Sequence, residues 1–190
     1  MKKIIELKNI SKAFDGETLG LTGTDGAYDR KTRTIYLNVT SPLKTISSAF
    51  RHEVIHYLKA SSPKAYGEFA AFVIDKYKEQ YSNEDYNAWL EAKRKEYEAM
   101  GTTLKKDGAE EEFLAQFGMD MLQQKAIARD FVRHHRNAAL KIWDAIRNLI
   151  NKIRRSVGMS ELPTSVYDAI SQLAENTSGQ VQVSGNSYTR

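Results

Sequence analysis

Two histidines and a glutamate occur in this chain at a spacing that could hold a metal ion and activate a water molecule. The residues His52-Glu53-Val54-Ile55-His56 form the pattern H-E-x-x-H. In an α-helix, positions i and i+4 lie one above the other on one face, so both imidazoles can bind one metal ion. Glu53 lies beside them and can take a proton from a metal-bound water. Two neutral imidazoles suit Zn²⁺ in a four-coordinate site, but they do not exclude Ni, Co or Fe.

The segment that carries this pattern, residues 41–60, has the features of an amphipathic helix. Ser41 is a good N-cap and Pro42 a good first helical residue. Apolar side chains recur at steps of three and four residues, which predicts a core-facing stripe: Leu43, Ile46, Phe50, Val54, Tyr57 and Leu58. The histidines fall on the opposite side, near the small residues Thr45, Ser48 and Ala49. The alternatives are a chance pattern and a pair of structural histidines. The helix-start signals and the position of the histidines opposite the apolar stripe disfavour both.

The composition limits the kinds of protein to which the chain can belong. The chain has 190 residues, a net charge of +4 and no cysteine, which excludes disulfides and cysteine zinc sites. We find no apolar run of signal-peptide or membrane-span length, so we expect a cytoplasmic protein with no membrane contact. We expect one domain over residues 1–158, β-rich in residues 1–40 and helical in residues 41–158. Residues 159–190 would be a C-terminal extension, mobile in 175–190.

The predicted fold class is α+β and mostly helical, with a small N-terminal hairpin or sheet packed on a helical bundle. Strands are expected at residues 2–7 and 34–39. Residues 18–22 are the expected partner of the second strand, across a turn at Asp25-Gly26.

Helices are expected to fill the rest of the chain. One restarts at Ser62-Pro63. The next covers residues 83–100, where Ser82 and Asp85 form a capping box and Gly101 ends the helix. Further helices are expected at residues 109–124, capped by Asp107 with Glu110, and then at residues 127–134, 137–157 and 166–174.

A catalytic zinc site needs a third protein ligand, with water in the fourth position. The acidic start of the helix at residues 110–117 supplies the best candidates. Glu112 is favoured because Ala115, one turn on, lets two helices approach closely, and because Gln116 can hydrogen-bond a ligand histidine. Glu111 is the next choice. Glu68 and the pair His134 and His135 remain open, and acidic residues in a first turn also serve the helix dipole.

The order of these motifs resembles that of a known family. A strand, Ile35-Tyr36-Leu37-Asn38, precedes the H-E-x-x-H helix, and a distant helix begins Glu112-Phe113-Leu114-Ala115-Gln116-Phe117. Over residues 34–153 the chain resembles gluzincin-type zinc metallopeptidase domains of large polyvalent proteins from phages and other mobile elements. It is more distantly similar to ImmA/IrrE-type peptidases. The family pattern E-x-x-A-[DN] implies that Glu112 is the third ligand, and this chain departs from the pattern at Gln116.

The resemblance implies a zincin-like fold and a peptidase mechanism. Zinc would activate a water, and Glu53 would be the general base. An extended peptide or protein substrate would lie along an edge strand formed by Ile35, Tyr36, Leu37 and Asn38. The oxyanion needs a further donor, for which Tyr66, His134 and His135 are the candidates.

Two alternative functions follow from other features. Residues 125–155 hold nine basic residues, which suits a weak contact with nucleic acid or an acidic partner: Lys125, Arg129, Arg133, Arg136, Lys141, Arg147, Lys152, Arg154 and Arg155. A solvated helix face explains the same charges. A degenerate site that keeps metal but has no turnover is suggested by Gln116.

Overall fold

A small sheet followed by six helices makes up the described part of the chain. The computed structural model describes residues 24–156 and the backbone of two short strands before them, with side chains from residue 24 to residue 151. The strands are β1 (Lys3–Glu6), β2 (Ala13–Asp15), β3 (Gly26–Asp29) and β4 (Thr34–Asn38). The helices are α1 (Leu43–Ser61), α2 (Pro63–Gln80), α3 (Asn83–Ala99), α4 (Lys106–Gln123), α5 (Lys125–His134) and α6 (Arg136–Ser156). The predicted class, α+β and mostly helical, is confirmed.

Strand β4 lies inside the sheet. The strand order is β2-β1-β4-β3, and all neighbours are antiparallel. In this register Leu37 lies opposite Ile5 of β1 on one side and Gly26 of β3 on the other. The expectation that β4 is an edge strand is therefore wrong, because β1 occupies the side on which a peptide would have to pair. Among the described strands, β3 is the outermost one next to β4.

The turn between β3 and β4 lies later in the chain than the predicted Asp25-Gly26. Asp29 closes it, because its carboxylate accepts hydrogen bonds from the Lys31 amide at 2.9 Å and from Thr32 Oγ1 at 2.6 Å. Arg33 adopts a positive φ of 54°, which lets the chain reverse into β4. The chain therefore reverses at an Asx-type turn that begins at Asp29. The predicted turn residue Gly26 is instead the first residue of β3.

Helix α1 begins after Pro42, which occupies the N-cap position that we predicted for Ser41. The Ser41 hydroxyl has other partners: it donates to Asp25 Oδ1 at 2.6 Å and accepts from Asn38 Nδ2 at 2.8 Å. Ser41 therefore fastens the end of β4 to the start of β3 and leaves the first turn of α1 uncapped by a side chain.

The apolar side of α1 forms the centre of the core. Ile46, Phe50, Val54 and Leu58 are buried as the stripe predicted, whereas Leu43 and Tyr57 are only partly covered. Other helices add large aromatic side chains to the core, of which the fully buried ones are Phe69, Phe113 and Phe131. Burying side chains of this size supplies most of the driving force for packing the helices together.

Helices α2 and α3 begin as the sequence predicts. Pro63 occupies the first turn of α2. Ser82 caps α3 by accepting a hydrogen bond from the Asp85 amide at 2.9 Å. Gly101 follows α3 with a φ of 77°, a conformation that ends a helix readily only at glycine.

Helix α4 begins at Lys106, three residues before the predicted start. Asp107 and Glu110, expected to cap it, lie inside the helix. Asp107 instead places a negative charge in the first turn, where it complements the helix dipole without capping a backbone amide.

Several expectations fall outside the described residues. They concern the strand at residues 18–22, the domain boundary after residue 158, the helix at 166–174 and the mobility of 175–190. Within the described helices, none combines the length and apolar character that a membrane crossing requires.

Candidate metal centre

His52, His56 and Glu112 lie together where α1 crosses the start of α4. One candidate ligand atom from each of the three lies within 4.8 Å of the other two. His52 Nε2 is 3.4 Å from Glu112 Oε2, and His56 Nε2 is 3.7 Å from Glu112 Oε1. The helical spacing of the H-E-x-x-H pattern thus brings the two rings to one face, with centroids 5.1 Å apart.

These three residues fit a zinc ion in both donor type and spacing. Atoms about 2.0–2.2 Å from a tetrahedral metal are about 3.3–3.6 Å from one another. The two histidine–carboxylate distances, 3.4 and 3.7 Å to different oxygens of Glu112, are close to this range, and one ligand atom from each residue lies within 4.8 Å of the others. Two imidazole nitrogens and one carboxylate oxygen also match the donors of catalytic zinc sites that keep a fourth position for water. The contacts between the Glu112 carboxylate and the two imidazole rings keep the same side chains close together.

Small residues on α4 allow it to come close enough to supply Glu112. Ala115, one turn after Glu112, is buried. Gly118 faces α2, where an added Cβ would lie only 2.9 Å from Phe69 Cζ, and it also approaches Ile55 of α1. The role that we expected of Ala115 is consistent with this packing, and Gly118 extends it by one turn.

Glu111 binds the His56 nitrogen that does not face Glu112. Its carboxylate, only 2% exposed, accepts a hydrogen bond from His56 Nδ1 at 2.6 Å. Lys59 Nζ at 2.8 Å and Arg30 Nη2 at 2.6 Å donate to the other oxygen. Burial alone would raise the pKa of Glu111, but the hydrogen bonds from His56 and Lys59 outweigh it and lower the pKa to about 2. Glu111 therefore stays ionised and holds the proton of His56 on Nδ1, which leaves Nε2 facing Glu112.

Glu53 is buried beside the histidines, against the start of β3. Burial raises its pKa, as does the charge of Glu112, while the two histidines oppose the rise. A Cβ added to Gly26 would lie 3.2 Å from Glu53 Cγ and 3.2 Å from Ala49 Cβ. Because only glycine leaves this space, β3 can pass directly over the Glu53 side chain.

Tyr97 lies at the end of α3. Burial would raise the pKa of Glu112, but the nearby His52 and His56 lower it, and the Tyr97 hydroxyl contributes to the lowering. Burial and the nearby carboxylates Glu112 and Glu53 raise the pKa of Tyr97, so the phenol keeps its proton. We did not select Tyr97 from the sequence. In the sequence, Tyr97 is one of the few apolar positions of a highly charged helix. Such a position predicts packing against the core and gives no indication of a functional role.

Gln116 is exposed and lines a small polar pocket beside His52, together with Arg51 and Asp120. The structure gives it no hydrogen bond to a histidine of the cluster. The hydrogen bond to a ligand histidine that we expected from Gln116 is made by Glu111 instead, to His56. Consecutive residues on a helix point about 100° apart. This geometry could have predicted from the sequence that Glu111 and Glu112 have different partners.

The three expected oxyanion donors have other surroundings. The Tyr66 hydroxyl is buried without a hydrogen-bond partner, and burial raises its pKa, as does the charge of Glu111. His134 bonds to the Asp130 carbonyl at 3.0 Å, one turn earlier on α5. His135 stacks on Phe131 and pairs at 3.6 Å with Glu68, a further ligand candidate that likewise lies outside the cluster.

Strand β3 carries backbone groups that face away from the sheet. The Asn38 amide donates to the Asp25 carbonyl at 2.9 Å, so these two residues form a hydrogen-bonded pair. Hydrogen-bonded pairs alternate along an antiparallel ladder, so the N–H and C=O groups of Gly26 and Tyr28 point away from β4. The same two residues direct their side-chain positions towards α1, where Tyr28 packs edge-on against Tyr57.

The basic residues of α5 and α6 lie mostly at the surface. Those with described side chains are exposed, namely Lys125, Arg129, Arg133, Arg136, Lys141 and Arg147. Asp130 is paired with Lys76 of α2 at 3.0 Å and Asp144 with Arg147 at 2.9 Å.

No protein-family model, curated protein or solved structure shows significant similarity to the chain. The family resemblance therefore remains an expectation.

Proposed function

We propose that the chain is a zinc-dependent metallopeptidase in which His52, His56 and Glu112 hold the metal and Glu53 is the general base. One observation carries the proposal: two helices bring two imidazole nitrogens and a carboxylate oxygen within 4.8 Å of one another. A buried carboxylate with a raised pKa beside this group supports hydrolysis in preference to a purely structural site.

The chemistry divides between the metal and the protein. When bound, zinc lowers the pKa of its water towards neutrality and polarises the scissile carbonyl. Glu53 accepts the proton of the attacking water and later delivers it to the leaving amine. Its burial favours this work, because a raised pKa brings a carboxylate closer to the pH at which it must both accept and return a proton. Glu111 keeps His56 in the tautomer that a metal requires.

We further propose β3, in place of β4, as the strand that holds the substrate. Gly26 and Tyr28 direct backbone donors and acceptors away from the sheet, and Gly26 lies directly over Glu53. An extended peptide that paired with β3 would pass the general base with a regular hydrogen-bond register. Substrates are then extended peptide segments, bound mainly through their backbone.

Elemental analysis of the purified full chain tests the metal site. We expect about one zinc per chain in the wild type and in Glu68→Ala, and loss of zinc in His56→Ala and Glu112→Ala. Glu68→Ala is the control, because Glu68 was an alternative ligand and lies by His135. Zinc that survives Glu112→Ala would contradict the assignment of the third ligand. A wild type that stays metal-free after zinc is added back would contradict the whole proposal.

Glu53→Gln separates an enzyme from a degenerate metal site. The change keeps the shape of the side chain and removes the proton acceptor, so we expect a full zinc complement with no turnover. Turnover is followed by mass spectrometry of a mixed peptide library. If the library is left intact by the zinc-loaded wild type as well, the site is degenerate.

A second candidate function, contact with nucleic acid, is supported by the exposed cations of α5 and α6. Duplex DNA binding that weakens steeply with added salt would favour it. A wild type that fails to bind duplex at low salt would exclude it.

A further inference from the structure

We infer that the proposed peptidase selects extended segments with an acidic side chain about four residues before the scissile bond, and that Arg30 binds this side chain. Arg30 follows the last residue of β3. The inference rests on the proposed function and names a class of substrate for it. Arg30 would determine specificity, in addition to the metal ligands and the general base.

The end of β3 lies beside two cations that share one carboxylate. Arg30 Nη2 and Lys59 Nζ both donate to Glu111 Oε2, at 2.6 and 2.8 Å. The other oxygen of Glu111 accepts a hydrogen bond from His56 Nδ1. A single negative charge therefore serves both cations, which leaves one positive charge unbalanced within this group.

The unbalanced charge is accessible through Arg30. The Arg30 side chain is 67% exposed, whereas that of Lys59 is 35% exposed and that of Glu111 only 2%. Arg30 binds Glu111 through one amino group, and a guanidinium carries five N–H donors in a planar fork. Arg30 therefore keeps donors for a second carboxylate, such as that of a substrate side chain.

The rest of the turn after β3 adds to this positive charge. Lys31 and Arg33 are exposed. Asp29, the acid of the turn, is engaged within the turn itself, where it accepts hydrogen bonds from the Lys31 amide at 2.9 Å and from Thr32 Oγ1 at 2.6 Å. Three exposed cations within residues 30–33 thus produce a field that attracts acidic peptides to this end of β3.

The position of Gly26 sets the distance from the reacting bond to Arg30. Gly26 lies over Glu53, so the scissile bond of a peptide paired with β3 would lie near Gly26. Arg30 comes four residues later in the sequence, or about 13 Å along an extended chain. Alternate residues of a strand face the same side, so Gly26, Tyr28 and Arg30 follow one face. The contact of Arg30 with Glu111 agrees with this facing.

An antiparallel peptide would bring the residues before the scissile bond to Arg30. Every neighbouring pair in the described sheet is antiparallel, and this pairing is slightly more stable per residue than the parallel one. The peptide would then run from Arg30 towards Gly26. Because residues opposite each other in such a pair point to the same face, the acidic side chain would lie beside the Arg30 guanidinium.

Two peptides test the inference on the full-length, zinc-loaded protein. The first is the best-cleaved member of a mixed peptide library, remade with glutamate at the fourth position before the cleaved bond. The second has glutamine there and is otherwise identical. The ratio of their kcat/KM values is measured for the wild type, Arg30→Gln and Lys95→Gln. Lys95 is the control, because its side chain is 71% exposed and its carboxylate contact, 3.9 Å from Glu91, lies within α3.

We expect the wild type and Lys95→Gln to prefer the glutamate peptide by about 3–10-fold, the effect of an ion pair at a partly exposed site. Arg30→Gln should cleave the two peptides with similar kcat/KM values. Any weakening of the Glu111 contacts in this variant slows both peptides alike, so it leaves the ratio unchanged. Added salt should also reduce the preference of the wild type, a measurement that does not depend on the folding of any variant.

Equal cleavage of the two peptides by the wild type would overturn the inference and leave the proposed function standing. A preference that persists in Arg30→Gln, or that does not respond to salt, would overturn it in the same way. A zinc-loaded wild type that cleaves no member of the library would remove the proposed function and the inference with it.

Discussion

At the scale of single residues, two consecutive glutamates of α4 have different partners. Glu112 faces the Nε2 atoms of both histidines, whereas Glu111 binds His56 Nδ1 together with Lys59 and Arg30. A ligand histidine whose second nitrogen is held by a carboxylate has a fixed tautomer and a fixed ring orientation. An acidic run at the start of a helix normally only complements the helix dipole. Here two of its residues contact different nitrogen atoms of the same histidine pair.

We predict that Glu111→Gln lowers zinc affinity by about 10–100-fold, because the amide is a weaker acceptor for His56 Nδ1 and no longer fixes the ring as firmly. Gln116→Ala is the matched control, since Gln116 lies on the same helix and was the residue expected to support a histidine. Chelator competition on both variants measures the effect. Loss of affinity in Gln116→Ala but not in Glu111→Gln would contradict it.

At the scale of elements, close contacts between helices depend on particular glycines. Gly118 of α4 faces Phe69 of α2 with no room for a methyl group, whereas Gly67 of α2 has no atom within 4 Å of an added Cβ. Both lie inside helices, so alanine gains similar helix propensity at each position. The difference between them isolates the packing of α4 against α2.

Gly118→Ala is predicted to destabilise the fold by about 1–3 kcal/mol, since the methyl group would push a buried ring aside. Gly67→Ala should stabilise it by about 0.5–1 kcal/mol, the gain from helix propensity alone. Urea unfolding followed by circular dichroism measures both. Equal effects of the two changes would show that α4 does not depend on this contact.

The sequence predicted where the helices lie better than it predicted which strands pair with one another. Periodicity and capping residues placed the helices, because these signals are local: Ser82 and Gly101 act within one turn of their own chain. Strand order could not be read in this way, since β1 reaches β4 across a long stretch of sequence. The predicted turn at Asp25-Gly26 failed for a related reason, as the Asp29 carboxylate offered a competing local closure.

The candidate site shows the same limit. The H-E-x-x-H spacing is a property of one helix and could be predicted. Bringing Glu112 beside the histidines depends on how α4 packs on α1, for which the sequence signals were Ala115, Gln116 and the family resemblance of this stretch. Tyr97 and Arg30 come from α3 and from the turn after β3, and no local pattern connects them with the histidines.

At the scale of the whole molecule, the proposed zinc would join α1 to α4 as well as activate water. We predict that zinc at a hundredfold excess over its Kd stabilises the fold by about 2.7 kcal/mol and raises Tm by on the order of 10 °C. Thermal unfolding with and without zinc measures this, and His56→Ala should abolish the shift. An equal shift in that variant would place the metal elsewhere.

The ion pair between Arg30 and Glu111 joins positions 81 residues apart. Contacts of such long range form late, because chain entropy opposes them until the intervening helices have condensed. Support for His56 is therefore incomplete while the hairpin is still detached, even if α1 and α4 have already met. At that stage Glu111 would be held by His56 and Lys59 alone, so the chain would hold zinc less tightly than the complete fold. Tight capture would coincide with docking of the hairpin, so that maturation of the proposed peptidase depends on completion of its own fold.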